Sequence, residues 1–236
     1  MRPVIRGGRP TDDQEHDIKF CDYVNARGEL IRRMGEYCSY CEMHLDASLA
    51  VEHVQPKQPR GVDLVDQERA LNWDNFLLAC TNCNSTKGDT NINLDEYIWP
   101  DRDNTFRALK YSEGGIVSYG IDGEIARKAI NTIKLTGIDK TPKDTKASDR
   151  RWFNRREAWD IAMRSRNRLA NNDNNYFREQ IVDTALANGF WSVWMTVFKD
   201  DSNMLSRFLQ AFPGTCQKCF DAENGYNAVA RQGGQC

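Results

Sequence analysis

Two residues separate Cys38 from Cys41, and two separate Cys80 from Cys83. Each pair sets two thiolates on a tight knuckle, half of the tetrahedral ligand set that Zn(II) takes, and together the pairs close a four-sulfur site. A redox dithiol or two chance pairs are the alternatives. The 38 residues between Cys41 and Cys80 exceed the roughly 15 to 20 of a simple zinc ribbon, so something is inserted inside the metal-closed loop. The insert carries Val51-Glu52-His53-Val54-Gln55-Pro56 and, further on, Asn75; the run Asn84-Ser85-Thr86-Lys87-Gly88-Asp89 follows the second pair. An acid beside a histidine, with asparagines on either side of the second pair, is more than a ribbon needs. A hydrolysis needs a deprotonated water as nucleophile, and positive charge where the transition state gathers negative charge. A neutral imidazole, with an ordinary pKa of roughly 6.5, serves the first need near pH 7.

Elements of modest size must hold these side chains. Residues 48–54 and 76–79 read as strands, and the stretch between them as a loop with one helical turn. Residues 1–30 mix turn formers and charges around a short helix near residues 16–24, an arm that needs something to dock on. After Trp99, residues 109–111 and 116–119 flank Glu113-Gly114-Gly115 as a hairpin, and a helix follows over residues 124–135. Amphipathic spacing predicts helices over residues 150–170, 176–187 and 202–212, with a linker at 141–149 and a loop at 171–175. The expected organisation is an arm at 1–30, a chemistry-bearing core at 31–97 and a mainly helical region at 98–236.

Composition narrows the function. The chain has 236 residues, 40% hydrophobic and 28% charged, with a mean hydropathy of -0.70, and no run of the 18 or so apolar residues that a membrane span needs. Its opening residues lack the apolar core of a signal peptide, so a cytoplasmic setting is expected and the eight cysteines are read for a reducing compartment. Residues 1–120 hold 14 basic and 20 acidic side chains, whereas residues 121–236 hold 18 and 14. This is no strongly basic clamp, so any role on nucleic acid implies locally focused binding or recruitment by a partner.

The order CxxC, EHVxP, NWDNFLLACTNCNSTKGD over about residues 37–89 resembles the HNH endonuclease family. The resemblance implies an α+β chain with a ββα-metal nuclease core: a two-stranded hairpin packed on a helix around a catalytic divalent ion and braced by structural zinc on Cys38, Cys41, Cys80 and Cys83. It implies His53 as general base, Glu52 and Asn84 as ligands of Mg(II) or Mn(II), Asn75 as the residue that orients the histidine ring, and Lys87 as a phosphate contact. Glu52 stands where the family more often has Asp, one methylene shorter. One carboxylate and one neutral amide leave Mg(II) about one unit of positive charge and several water positions, which favours one metal over two and predicts 5′ phosphate and 3′ hydroxyl products. Residues 2–10, 99–105, 111–123 and 211–215 are also similar to the nuclease subunits of bacterial Septu and related retron antiphage systems. That likeness implies a DNA substrate, with RNA as the alternative, an ATPase partner of ABC or SMC type, and a docking surface after residue 97.

Plainer readings stand beside these. His53 as a packing residue, Asn75 and Asn84 as turn or cap residues, and Lys87 as the end of a short helix all suit the residue types. His44 offers a substitute zinc ligand, and Cys216 with Cys219, Cys21 and Cys236 is either a second metal site or a set of small buried hydrophobes. Trp191, Trp194, Phe198, Phe208 and Phe212 read as core or as a partner surface. The run Arg150, Arg151, Arg155, Arg156, Arg164, Arg166 and Arg168 is a solvated face or a contact to nucleic acid or an acidic partner. Function alternatives are a stand-alone restriction or mobile-element nuclease, and a zinc-organised binding module whose HNH remnant is inactive.

Overall fold

The computed structural model describes residues 1–45, 47–144 and 148–236. Part of the expected 141–149 linker, residues 145–147, lies outside the described residues. Helices take up 45% of the chain and strands 12%, and among the described residues every strand belongs to a two-stranded antiparallel pair.

The arm forms no helix over residues 16–24. Asp12 accepts hydrogen bonds from the Gln14 and His16 amides and closes a turn there, and a short 3-10 turn, Tyr23–Ala26, begins only after Asp22 caps it. Local side-chain bonds from Asp outcompete the helical ladder in such a polar stretch. The arm docks through Phe20 and through its own backbone carbonyls. Phe20 stacks on Trp73 at 6.0 Å, the Trp73 indole N–H donates to the Gly7 carbonyl at 2.9 Å, and Arg33 grips the Arg6 and Gly8 carbonyls.

Helix α1, Arg27–Met34, ends at Gly35, at φ 75°, where a Cβ would sit 2.8 Å from the Tyr37 ring. The first knuckle follows. Strand β1, Ala50–His53, then helix α2, Gln67–Leu71, strand β2, Phe76–Ala79, and helix α3, Thr81–Lys87, complete the centre. β1 and β2 pair antiparallel with Glu52 opposite Leu77 and His53 opposite Phe76. All four β2 residues are buried, which is why its Phe-Leu-Leu-Ala run is continuously apolar rather than alternating. α3 begins where Cys80 caps it, the Cys80 sulfur accepting the Cys83 amide at 3.4 Å, and it ends at Gly88 with φ 60°.

Beyond the centre come α4, Thr105–Ala108, the hairpin of β3, Leu109–Ser112, and β4, Ile116–Tyr119, then α5, Glu124–Thr136, α6, Arg151–Asn171, α7, Asn175–Asn188, α8, Trp191–Val197, and α9, Ser202–Ala211. A last hairpin, β5 Phe220–Asp221 with β6 Asn227–Ala228, adds strand to a region expected to be mainly helical. Gly115, at φ 71°, lies against the Arg156 backbone, where a Cβ would sit 2.8 Å from its nitrogen. Only glycine lets the β3–β4 turn dock so closely on α6.

One cluster of buried side chains runs from the arm through the centre to the C-terminal helices. Trp191, Trp194, Phe198, Phe208 and Phe212 belong to it, each at most 1% exposed. They are core. The flanking segments singled out by sequence meet one another: Val4 bridges Thr215, its amide donates to Pro100 at 2.6 Å, and Arg6 pairs with Asp101 at 2.7 Å. Among the described residues no helix is long and apolar enough to cross a membrane.

Candidate active site and metal centre

The first knuckle is pinned to the sheet by its own backbone and by Ser39. The Ser39 amide donates to the Leu78 carbonyl at 2.8 Å, and the Leu78 amide donates to the Ser39 hydroxyl at 3.3 Å. This sets Cys38 and Cys41 beside Cys80, which follows β2, and Cys83, one turn into α3. The four buried sulfurs all lie within 4.8 Å of one another. Cys41 and Cys80 are 3.7 Å apart, close to the edge of about 3.8 Å expected for a tetrahedron with Zn–S bonds of about 2.3 Å. Hydrogen bonds from Cys38, Cys41 and Cys83 hold the Cys80 thiol well below the ordinary thiol range. Hydrogen bonding to its sulfur neighbours pushes Cys41 up, and burial chiefly pushes Cys83 up. Four sulfurs this close ionise together only with a cation among them, so the donor set and its electrostatics fit zinc.

One arginine of α6 meets this cluster, and a second is buried one turn further along the helix. Arg151, 2% exposed, donates to the Cys83 sulfur at 3.2 Å and to the Thr136 carbonyl at 2.8 Å, and pairs with Asp149 at 2.8 Å. Arg155, 1% exposed, donates to the Gly115 and Ile138 carbonyls. The arginine run is therefore divided: these two are buried, Arg151 against the Cys83 sulfur, while Arg150, Arg156, Arg164 and Arg168 are exposed. His44 takes no part in the sulfur cluster and lies against Glu36 and the Tyr37 ring. Cys216, Cys219 and Cys236 are buried, Cys21 is exposed, and none of them joins a second metal-binding group among the described residues.

On the other side of α3 opens a cleft of about 260 Å³ lined by Tyr23, Glu52, His53, Lys57, Asn84 and Lys87, with Asp89 at its edge. Cys83 and Asn84 are neighbours, so the place of Cys83 in the sulfur cluster sets the rotation of α3. Asn84 and Lys87, three residues apart, then share the face turned to β1. Glu52 and His53 are successive residues at the end of a strand and leave it in opposite directions.

His53 is half-buried. Its ring is edge-on to Tyr23 at 4.8 Å and to Phe76 at 5.3 Å, and its Nε2 lies 3.1 Å from the Ala70 carbonyl oxygen. A carbonyl only accepts, so Nε2 carries the proton and Nδ1 keeps its lone pair. Burial lowers the imidazole pKa below its ordinary value, with smaller contributions in the same sense from Lys57 and Lys87. The ring is thus a neutral base near pH 7.

Glu52 is 2% exposed. Burial pushes its carboxyl up, opposed by the Lys87 ammonium, which lies 2.9 Å from Oε1. The Tyr40 hydroxyl also donates to Oε1, at 3.3 Å, and no described residue donates to Oε2. Lys87 is 3% exposed and donates its remaining reach to the His53 carbonyl at 2.8 Å. The Asn84 carboxamide, half-buried in the same cleft, has no hydrogen-bond partner among the described residues. An open carboxylate oxygen and an unpartnered carboxamide on one cleft are hard oxygen donors of the kind Mg(II) and Mn(II) take.

Asn75 makes no direct hydrogen bond to the His53 ring. Its side chain accepts the Gln55 amide at 2.7 Å and donates to the Gln55 and Arg69 carbonyls at 2.8 and 2.9 Å. It reaches the histidine ring only through the backbone, by holding the end of α2 so that Ala70 meets Nε2. Lys87, expected at a phosphate, has its ammonium seated on Glu52. The residues that sequence reading missed are Ala70, which acts by its carbonyl, Tyr40, and the pair Tyr23 and Lys57; Arg151 reads there only as part of the arginine run and not as a partner of Cys83. A backbone acceptor leaves no trace in residue type, and Tyr23 lies 30 positions before His53 in a stretch without periodicity.

No curated protein matches the chain. The segment that holds both knuckles, β1, β2, α3 and the histidine cleft, residues 38–90, matches the family model of the HNH endonucleases.

Proposed function

We propose that this protein is a zinc-braced HNH endonuclease that hydrolyses phosphodiester bonds of DNA with the help of Mg(II) or Mn(II). One observation carries the reading: a single cleft brings together an imidazole whose tautomer is set by the Ala70 carbonyl and two hard oxygen donors, on Glu52 and Asn84. In this reading β1, β2 and α3 are the ββα-metal core, and the four cysteines hold a zinc that keeps α3 in place. Glu52 and Asn84 would hold the divalent ion, which when bound would supply positive charge for the phosphorane and the leaving oxygen. His53 Nδ1 takes a proton from the attacking water as its oxygen bonds to phosphorus. The bond from phosphorus to the 3′ oxygen breaks, the 3′ oxygen takes a proton from solvent, and a 5′ phosphate and a 3′ hydroxyl result. Asn75 and Ala70 keep the ring in its tautomer, and Lys87 balances the Glu52 charge.

The setting belongs to the same proposal. The flanking segments similar to Septu and retron nuclease subunits, and the lack of a basic excess in the half that carries the cleft, support an antiphage effector controlled by an ABC- or SMC-type ATPase that docks on residues 98–236. Supercoiled plasmid incubated with the purified chain and Mg(II) or Mn(II), with and without the ATPase from a neighbouring gene, tests this. Nicking abolished by His53→Ala, with zinc content and folding unchanged, is the expected result. A wild-type chain inactive under every condition, although folded and zinc-loaded, points instead to a binding module.

A further inference from the structure

With Lys87 seated on Glu52, the cleft needs another cation for the nucleic-acid backbone, and Lys57 is placed for it. It follows the buried Pro56 and lies two residues beyond Gln55, whose amide and carbonyl are both held by Asn75. The Lys57 carbonyl accepts the Asp66 amide at 2.7 Å, so the backbone is fixed on both sides. Its ammonium lies 3.9 Å from the centre of the Tyr23 ring, and that ring is itself edge-on to His53 at 4.8 Å. The acids of the cleft are taken: Glu52 by Lys87 at 2.9 Å, and Asp89 by Arg60 at 3.0 Å. Lys57 forms no ion pair with a described residue. A half-buried ammonium resting on an aromatic face keeps part of its attraction for an anion, because cation–π contact offsets only a fraction of the charge.

We propose that Lys57 binds a backbone phosphate of the nucleic-acid substrate next to the scissile bond, and that Tyr23, from the N-terminal arm, is the positioning residue that holds the Lys57 ammonium and the His53 ring side by side. The proposal rests on the nuclease reading. It gives the arm a part in the site, since the ring that lies between base and phosphate comes from residues outside the knuckles and their insert.

Binding of fluorescent duplex and single-stranded oligonucleotides to the full chain, without added Mg(II) or Mn(II), is followed across a salt series for wild type, Lys57→Met, Lys57→Arg, Tyr23→Phe and Tyr23→Leu. Loss of one phosphate contact flattens the slope of log affinity against log salt by about 0.9 on duplex and about 0.7 on single strands. Lys57→Met is expected to show that change with a several-fold weaker affinity at low salt, Lys57→Arg to restore it, Tyr23→Phe to behave as wild type, and Tyr23→Leu to resemble Lys57→Met. Equal slopes for wild type and Lys57→Met, with both cleaving plasmid alike, overturn this proposal and leave the nuclease reading standing. A folded, zinc-loaded wild type that neither binds nor cleaves DNA or RNA, with either metal, overturns both.

Discussion

The Lys87 ammonium lies 2.9 Å from Glu52 Oε1, and both side chains are about 3% exposed. A buried ion pair of this kind gains from mutual attraction about what it loses in hydration, whereas either partner alone is costly. Lys87 thus stands at the cleft as a built-in counter-ion for the carboxylate that the proposed metal needs.

Removing one partner is expected to destabilise far more than removing both. Lys87→Met and Glu52→Gln each lower unfolding free energy by about 3–5 kcal/mol, and the double variant loses much less than the sum. Urea unfolding of the four proteins measures the coupling; strictly additive losses count against the pair.

The same pair sets metal affinity. A divalent ion approaching Glu52 meets the Lys87 charge, so Lys87→Met is expected to bind Mn(II) about tenfold more tightly in the absence of nucleic acid, a difference of about 1.4 kcal/mol. Titration followed by electron paramagnetic resonance reads this directly, without turnover. Unchanged or weaker Mn(II) binding in a folded Lys87→Met protein contradicts it.

The pH profile follows from the histidine. Burial disfavours the imidazolium, so the His53 pKa lies below its ordinary 6.5, and only the neutral ring accepts a proton. Activity is expected to persist as pH falls through 6.5 and to be lost below it, with the acid limb of kcat/KM displaced to lower pH. His53→Ala removes the limb and costs about 10²- to 10⁴-fold in kcat. An acid limb above pH 6.5 speaks against this base.

The four-cysteine cluster is tied to the second half of the chain by Arg151. Cys38→Ser or Cys80→Ser is expected to lower zinc content and thermal stability together, because binding of a structural metal is folding free energy. Arg151→Met, which removes the 3.2 Å bond to the Cys83 sulfur and the pair with Asp149, is expected to weaken zinc retention against a chelator while the four cysteines still bind one equivalent. Metal analysis with melting curves checks both; a wild type of normal stability without zinc removes the four-cysteine assignment.

Much of the frame was legible in residue order. The strand at 76–79, the hairpin beyond Trp99 and the long helices of the second half were readable because apolar periodicity and glycine turns act over a few residues. The predicted helix near residues 16–24 failed for the same reason in reverse: its conformation is set by Asp12 side-chain bonds and by docking on Trp73, both outside any periodic pattern.

Sequence alone determined the donor types, the two knuckles and the pairing of an acid with a histidine, since these depend on which atoms are present and how few residues separate them. Only the tertiary structure decided how those atoms are shared. It gave the Lys87 ammonium to Glu52, the Nε2 proton of His53 to the Ala70 carbonyl, Asn75 to the backbone of Gln55 and Arg69, and Arg151 to the Cys83 sulfur. Burial is the physical reason. Away from water each polar group must find a partner within about 3 Å, and which partner is nearest depends on how separate elements pack, not on neighbours along the chain.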